Sequence, residues 1–128
     1  MPHSVSHSIQ IDRARKLVDL KVSGLLNPED AAWIGEELRA AIRGLGDDVG
    51  KHVTLYDGTG IPVVPQETVE LIKHTLDNAA VRELWARKVA FVVSTALAKL
   101  QAQRLREVRP DIGVFEDREA AIAWLMEP

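Results

Sequence analysis

Hydrophobic and polar residues alternate twice near the start of the chain. His7–Ile11 sets Ile9 and Ile11 against Ser8 and Gln10, and Lys16–Val22 sets Val18, Leu20 and Val22 against Asp19 and Lys21. A period of two marks a strand with one buried face. The connector Asp12-Arg13-Ala14 is short enough to make the pair an antiparallel hairpin, and Gly24 ends the run. Residues 1–5 read as a loose start.

The period then lengthens. Asn27-Pro28-Glu29-Asp30 predicts a helix start: Asn27 as cap, Pro28 at the first helical position, and two acids at the positive helix end. Loss of an Asn27 cap predicts a cost of about 1 kcal/mol. Ala31, Ile34, Leu38, Ala41, Ile42 and Leu45 follow at helical spacing until Gly44 and Gly46. Trp33 falls off the centre of that stripe and reads as a partly exposed packing residue.

Val53–Tyr56 predicts a third strand that stops at Asp57, with Gly58, Thr59 and Gly60 opening a loop through Pro62 and Pro65. A second helix runs from about Gln66 to Asn78, with Val69, Ile72 and Leu76 inward. Ala79–Trp85 extends it or forms a separate short turn, with Leu84 and Trp85 in or near the core. Val89–Val93 is apolar on both faces and reads as a central strand. Ser94 or Thr95 caps a third helix through about Glu107, and Pro110 stops the segment. Ile112–Phe115 is the last strand, and Asp117 caps a final helix, Arg118–Met126, with Ala121, Trp124 and Leu125 for packing. The order β-β-α-β-α-β-α-β-α implies an α/β domain with a mixed, mostly parallel sheet and an antiparallel N-terminal strand.

Composition narrows the function classes. The 128 residues form a single domain, 1–128, with 46% hydrophobic and 27% charged residues and a net charge of −3; this is the profile of a globular chain. No basic block of the kind that grips nucleic acid is present. The absence of cysteine excludes disulfides, thiolate catalysis and Cys-ligated zinc. The longest wholly apolar run, Val89–Val93, is too short to span a bilayer, and the N-terminus lacks a signal-peptide pattern. The expectation is a cytoplasmic protein without cofactor, metal or nucleic-acid partner.

Val89–Glu107 (VAFVVSTALAKLQAQRLRE) and Gly113–Leu125 (GVFEDREAAIAWL), taken with the element order, resemble a family. The order resembles the STAS fold of the SpoIIAA-like anti-sigma-factor antagonists. The C-terminal third resembles small stand-alone bacterial proteins of a STAS/SEC14-like subgroup. In antagonist STAS domains an Asp-Ser-Ser type motif at a helix start carries a phosphorylated serine, and the same surface binds the partner. The resemblance places Pro65, Gln66 and Glu67 at those positions. None has a hydroxyl; Thr68 lies one residue beyond and Thr59 earlier in the loop. Glu67 there is either a fixed negative charge or an acid complementing the helix dipole.

Other candidate chemistry is sparse. His3, His7, His52 and His74 lack metal-site spacing, and His74 reads as exposed. Asp57 closes a strand at the carboxyl edge, where α/β sheets usually present their sites; a turn-forming role is the competing reading. The DGTG sequence lacks the pattern of a phosphate-binding loop. Ser94 and Thr95 share the edge with Asp57, although capping alone explains them. Lys99, Arg104, Arg106 and Arg109 read as a solvated basic helix face. No catalytic constellation is assignable. The reading is a non-catalytic regulatory or protein-interaction module of the STAS type without the usual phosphoserine switch. Its expected contact surface is Asp57, Gly58, Thr59, Gly60, Gln66, Glu67, Thr68, Ser94 and Thr95. The alternatives are a domain binding a small apolar or anionic ligand such as a lipid, as the SEC14-like resemblance implies, and a hydrolase centred on Asp57. A homodimer would form if the strand faces bearing Tyr56, Val92 and Phe115 lacked other cover.

Overall fold

The computed structural model describes residues 5–128; the first four residues, with His3 among them, lie outside the described residues. Five strands, β1 (Val5–Asp12), β2 (Leu17–Gly24), β3 (Val53–Gly60), β4 (Lys88–Val92) and β5 (Gly113–Phe115), form one sheet in the order β1-β2-β3-β4-β5. The β1–β2 pair is antiparallel and the others are parallel. Five helices connect them: α1 (Pro28–Arg43), α2 (Gln66–Leu76), α3 (Ala79–Arg82), α4 (Ala96–Arg104) and α5 (Arg118–Met126). The α/β class, the element order and the antiparallel first strand agree with the sequence pattern.

The two sheet faces are covered unequally. Val18 and Leu20 of β2 pack beneath Ile34, Leu38 and Ile42 of α1. Farther along the same face, Val89 of β4 meets Val69 of α2, and Val93 meets Ala98 and Ala102 of α4. On the opposite face α5 is the one helix among the described residues, with Ala121 and Leu125 over Leu17, Val53, Leu55, Ala90 and Val92. The β1–β2 half of that face carries Ser6, Ser8, Gln10, Lys21 and Ser23, all exposed. A face that meets water needs polar side chains at every second position, and the alternation of β1 supplies them.

Several boundaries differ from the sequence expectation. Val5 belongs to β1. The hairpin turn extends to Lys16, which adopts a left-handed φ of 53°; the second strand therefore begins at Leu17. Asn27 occupies the cap position of α1, but its side chain makes no capping hydrogen bond. The α2 helix stops at Leu76, and Asn78 instead caps the separate α3, accepting from the amides of Ala80 and Val81. Of the two cap candidates for α4, Thr95 fills the role, accepting from the Ala98 amide. Val89–Val93 supplies the interior strand β4, while the middle of the sheet is β3.

The largest difference lies at Asp57–Gly60. These residues are the last half of β3 and not a loop, because a register shift in β2 between Lys21 and Ser23 brings Ser23 opposite Gly60. Glycine permits the approach: a Cβ on Gly60 would lie 2.4 Å from the Ser23 Cβ. Gly60→Ala is therefore expected to lower stability by about 1–3 kcal/mol through overpacking, read as a lower urea midpoint. Asn27→Ala, having no side-chain cap to lose, should change it by under about 0.5 kcal/mol.

Candidate functional site

Strand β3 sets Asp57 on the α5 face, one turn of alternation beyond Leu55. Asp19 of β2 lies on the same face. Arg118, the first residue of α5, joins them: Nη1 donates to Asp57 Oδ2 at 2.9 Å and to Asp19 Oδ1 at 3.2 Å, and Nη2 donates to Asp19 Oδ2. The remaining Asp57 oxygen accepts from the Thr59 amide at 3.1 Å and the Thr59 hydroxyl at 2.8 Å. Both carboxylates are buried and Arg118 is partly exposed. Burial pushes the Asp57 carboxyl up, but the two Thr59 donors and the Arg118 guanidinium outweigh it and hold the pKa below the ordinary value. Asp19 foremost, and then Asp57, raise that of Arg118 against the effect of burial.

Asp19 and Arg118 carry no motif, yet one signal was present in the sequence. A cation in the first turn of a helix opposes the helix dipole, so Arg118 at the start of α5 needed anionic partners. Asp57 is thus neither an isolated turn residue nor a free carboxylate: each oxygen is engaged.

The segment after β3 is fastened to α4. Ser94 Oγ donates to Thr59 O at 2.8 Å, and Thr95 Oγ1 donates to Pro62 O at 2.6 Å. Gln101 holds Val64 at both backbone groups, accepting from its amide at 2.8 Å and donating to its carbonyl. The result is a preformed edge with Thr59, Gly60, Val63, Gln66, Glu67 and Ser94 exposed. Gly58 is half-buried behind them. Thr68 does not belong to this surface: it is wholly buried, and its hydroxyl donates to Leu26 O at 2.8 Å. Nor is the basic run after α4 a solvated face throughout. Arg109 is buried, donating to Ala86 O and Asp111 and lying over the Trp85 ring; Arg106 donates to Ile112 O.

A second feature was not foreseen in its position. Between the sheet and α1, α2 and α4 lies a cavity of about 320 Å³. Its walls are mostly apolar, among them Leu38, Ile42, Val69, Ile72, Phe91 and Leu105. Such a volume stands at the lower end of small-molecule pockets, roughly 300–1,000 Å³. Tyr56 faces it and stacks on Phe91, while Val92 and Phe115 pack under α5. Helices therefore cover the three strand residues on which self-association had been argued. Among the described residues no group of acids and histidines could hold a metal, and no helix is long and apolar enough to cross a membrane.

A five-stranded mixed sheet of this order, with α1, α2 and α4 on one face and the terminal α5 on the other, is a SpoIIAA-like fold. No family sequence model matches the chain, and no curated protein matches it. Solved structures do. An anti-sigma factor antagonist from Mycobacterium paratuberculosis is 12% identical and superposes with a TM-score of 0.61, over 99% of this chain and 98% of that one. An uncharacterised DUF3478-family protein with a SpoIIAA-like fold from Shewanella loihica PV-4 is 19% identical, with a TM-score of 0.64, over 98% and 96%. At these identities the likeness is one of fold.

The network and the buried His52 give stability two separate dependences on acid. Burial lowers the His52 pKa from 6.5, with Arg109 adding to the effect and a backbone contact at Asp48 opposing it. Both His52 and Asp57 thus bind protons less readily folded than unfolded. The His52 contribution is complete above pH 6.5 and lost as pH falls through its folded value. The Asp57 contribution is complete above pH 3.8 and lost below it in the same way. Urea midpoints against pH should show both declines, with Asp57→Asn making the lower one shallower and leaving the upper one in place. Arg118→Met, which leaves two buried carboxylates facing each other, should cost about 2–3 kcal/mol, less than the 3–5 of a fully buried pair; Asp19→Asn in the same chain should restore part of it.

Proposed function

We propose that the protein is a non-catalytic regulatory module that binds a protein partner through the carboxyl edge of its sheet. The carrying observation is the pinned edge. Asp57 is consumed by Thr59 and Arg118, the loop Ile61–Pro65 is strapped to α4, and Thr59, Gln66, Glu67 and Ser94 are exposed to a partner on a backbone that needs no ordering. Pre-organisation of this kind favours recognition, because little conformational entropy is lost on docking. A hydrolytic role for Asp57 finds no such support, since both of its oxygens already accept hydrogen bonds. The fold is one that an anti-sigma factor antagonist also uses.

The usual phosphoserine device has no place at the start of α2. Positions 65–67 lack hydroxyls and Thr68 is buried under Leu26. Glu67 puts a constant negative charge there, and the module then acts without that covalent switch. A second reading, binding of a small apolar molecule, rests on the cavity under α1, α2 and α4.

The edge is tested by affinity capture from cell extract with the wild-type chain and a Thr59→Arg/Gln66→Arg double variant. A protein retained by the first and lost by the second, with the variant's melting temperature unchanged, is the expected result. Equal capture by both removes the edge as the contact surface.

A further inference from the structure

Several of the polar groups on the cavity wall are donors. Thr54 and Tyr56 project from the same face of β3 into the cavity lining, and neither hydroxyl hydrogen-bonds to a described residue. Thr54 is only 2% exposed. Trp85 lines the same cavity, and its indole Nε1 is buried without a partner. Arg109, 5% exposed, lies 4.6 Å above the Trp85 ring, with Nε committed to Asp111 and Nη2 to Ala86 O. Two hydroxyls, an indole N–H and a guanidinium thus line the same cavity. All can donate; of the two carboxylates in the cavity lining, Glu36 is engaged by Arg39, and Asp57 turns to the other face of the sheet, where Arg118 holds it.

Buried donors left unmatched are costly. Water could satisfy them, but it would then stand against apolar walls over the rest of the cavity. One molecule meets both demands if it has a hydrocarbon body and an acceptor-only head. On the reading that the cavity binds an apolar ligand, we infer that its ligand is a medium-chain monocarboxylate, with the carboxylate at Tyr56, Thr54 and Trp85 and the chain among Leu38, Ile42, Val69 and Ile72. The size follows by proportion: an apolar cavity of about 150 Å³ holds the six carbons of benzene, so about 320 Å³ holds roughly twelve. Burial pushes the Tyr56 pKa up to about 12 against the opposing charges of Arg109 and Arg39. The phenol therefore stays protonated as a donor, and two guanidinium groups act on the same place.

Isothermal titration with dodecanoate below its micelle concentration, and with uncharged dodecanol, tests the head and the cavity separately. Wild-type protein should bind dodecanoate at least about tenfold more tightly than dodecanol. Tyr56→Phe should weaken dodecanoate about tenfold to a hundredfold, the range for a hydrogen bond to a charged group, and change dodecanol by less than about threefold. The substitution removes a hydroxyl that bonds to no described residue, so the variant should melt at or above the wild-type temperature. The indole N–H resonance of Trp85, assigned by its loss in Trp85→Phe, should shift with dodecanoate and not with dodecanol. Equal affinity for the two probes, or dodecanoate binding indifferent to Tyr56→Phe, overturns the carboxylate head and leaves the apolar cavity standing. Failure of both probes to bind overturns the cavity reading as well.

Discussion

Arg118 stands at the positive end of a helix, a place that disfavours a cation, and two strands supply the charges that hold it there. Asp19 and Asp57 come from neighbouring parallel strands, and the guanidinium spans both. This junction falls at the border between the half of the sheet that α5 covers and the half that meets water. The single helix on that face makes few other polar contacts to the sheet. Lys88 and Arg87 fix its far end by donating to the carbonyls of Trp124, Leu125 and Glu127. The near end depends on Arg118. Tying the three elements together also fixes Thr59, whose amide and hydroxyl close around Asp57.

From that anchor the carboxyl edge is built outward. Thr59 O receives Ser94, Pro62 O receives Thr95, and Val64 is held at both backbone groups by Gln101. The edge is ordered by side chains of α4 and α5, not by its own glycines. Only Gly60 is required by sterics, because β2 crosses so close to it. A module that presents a surface and a module that encloses a cavity make opposite demands on rigidity. In this chain the two are separated: the edge is strapped, while the cavity lies deeper, between the sheet and helices packed on it mainly through apolar side chains.

Much of the fold was legible in the chain. Alternation in β1 and β2, the helical stripe of α1, the doubly apolar β4 and the Asp117 cap of α5 each follow from local rules that tertiary context did not override. The strand-to-helix order then admitted few topologies. Errors cluster where a long-range partner decides. Asp57–Gly60 looks like a turn by composition, but pairing with β2 makes it strand. Asn27 has the composition of a cap without the bond, and Arg109 looks solvated until Ala86 and Trp85 are brought to it. Thr68 could be numbered in a motif, but only packing beneath Leu26 shows that it is buried.

The sequence by itself determined the class of fold, the order of the strands and main helices and the absence of thiol chemistry, since all of these depend on neighbours in the chain or on composition. Tertiary structure alone decided what Asp57 does and what Tyr56 faces. Asp57 meets an arginine sixty-one residues away, and Thr54, Tyr56, Trp85 and Arg109 share one cavity wall only after two crossover connections have closed. Hydrogen-bond satisfaction and burial are properties of that closure, and no local pattern encodes them.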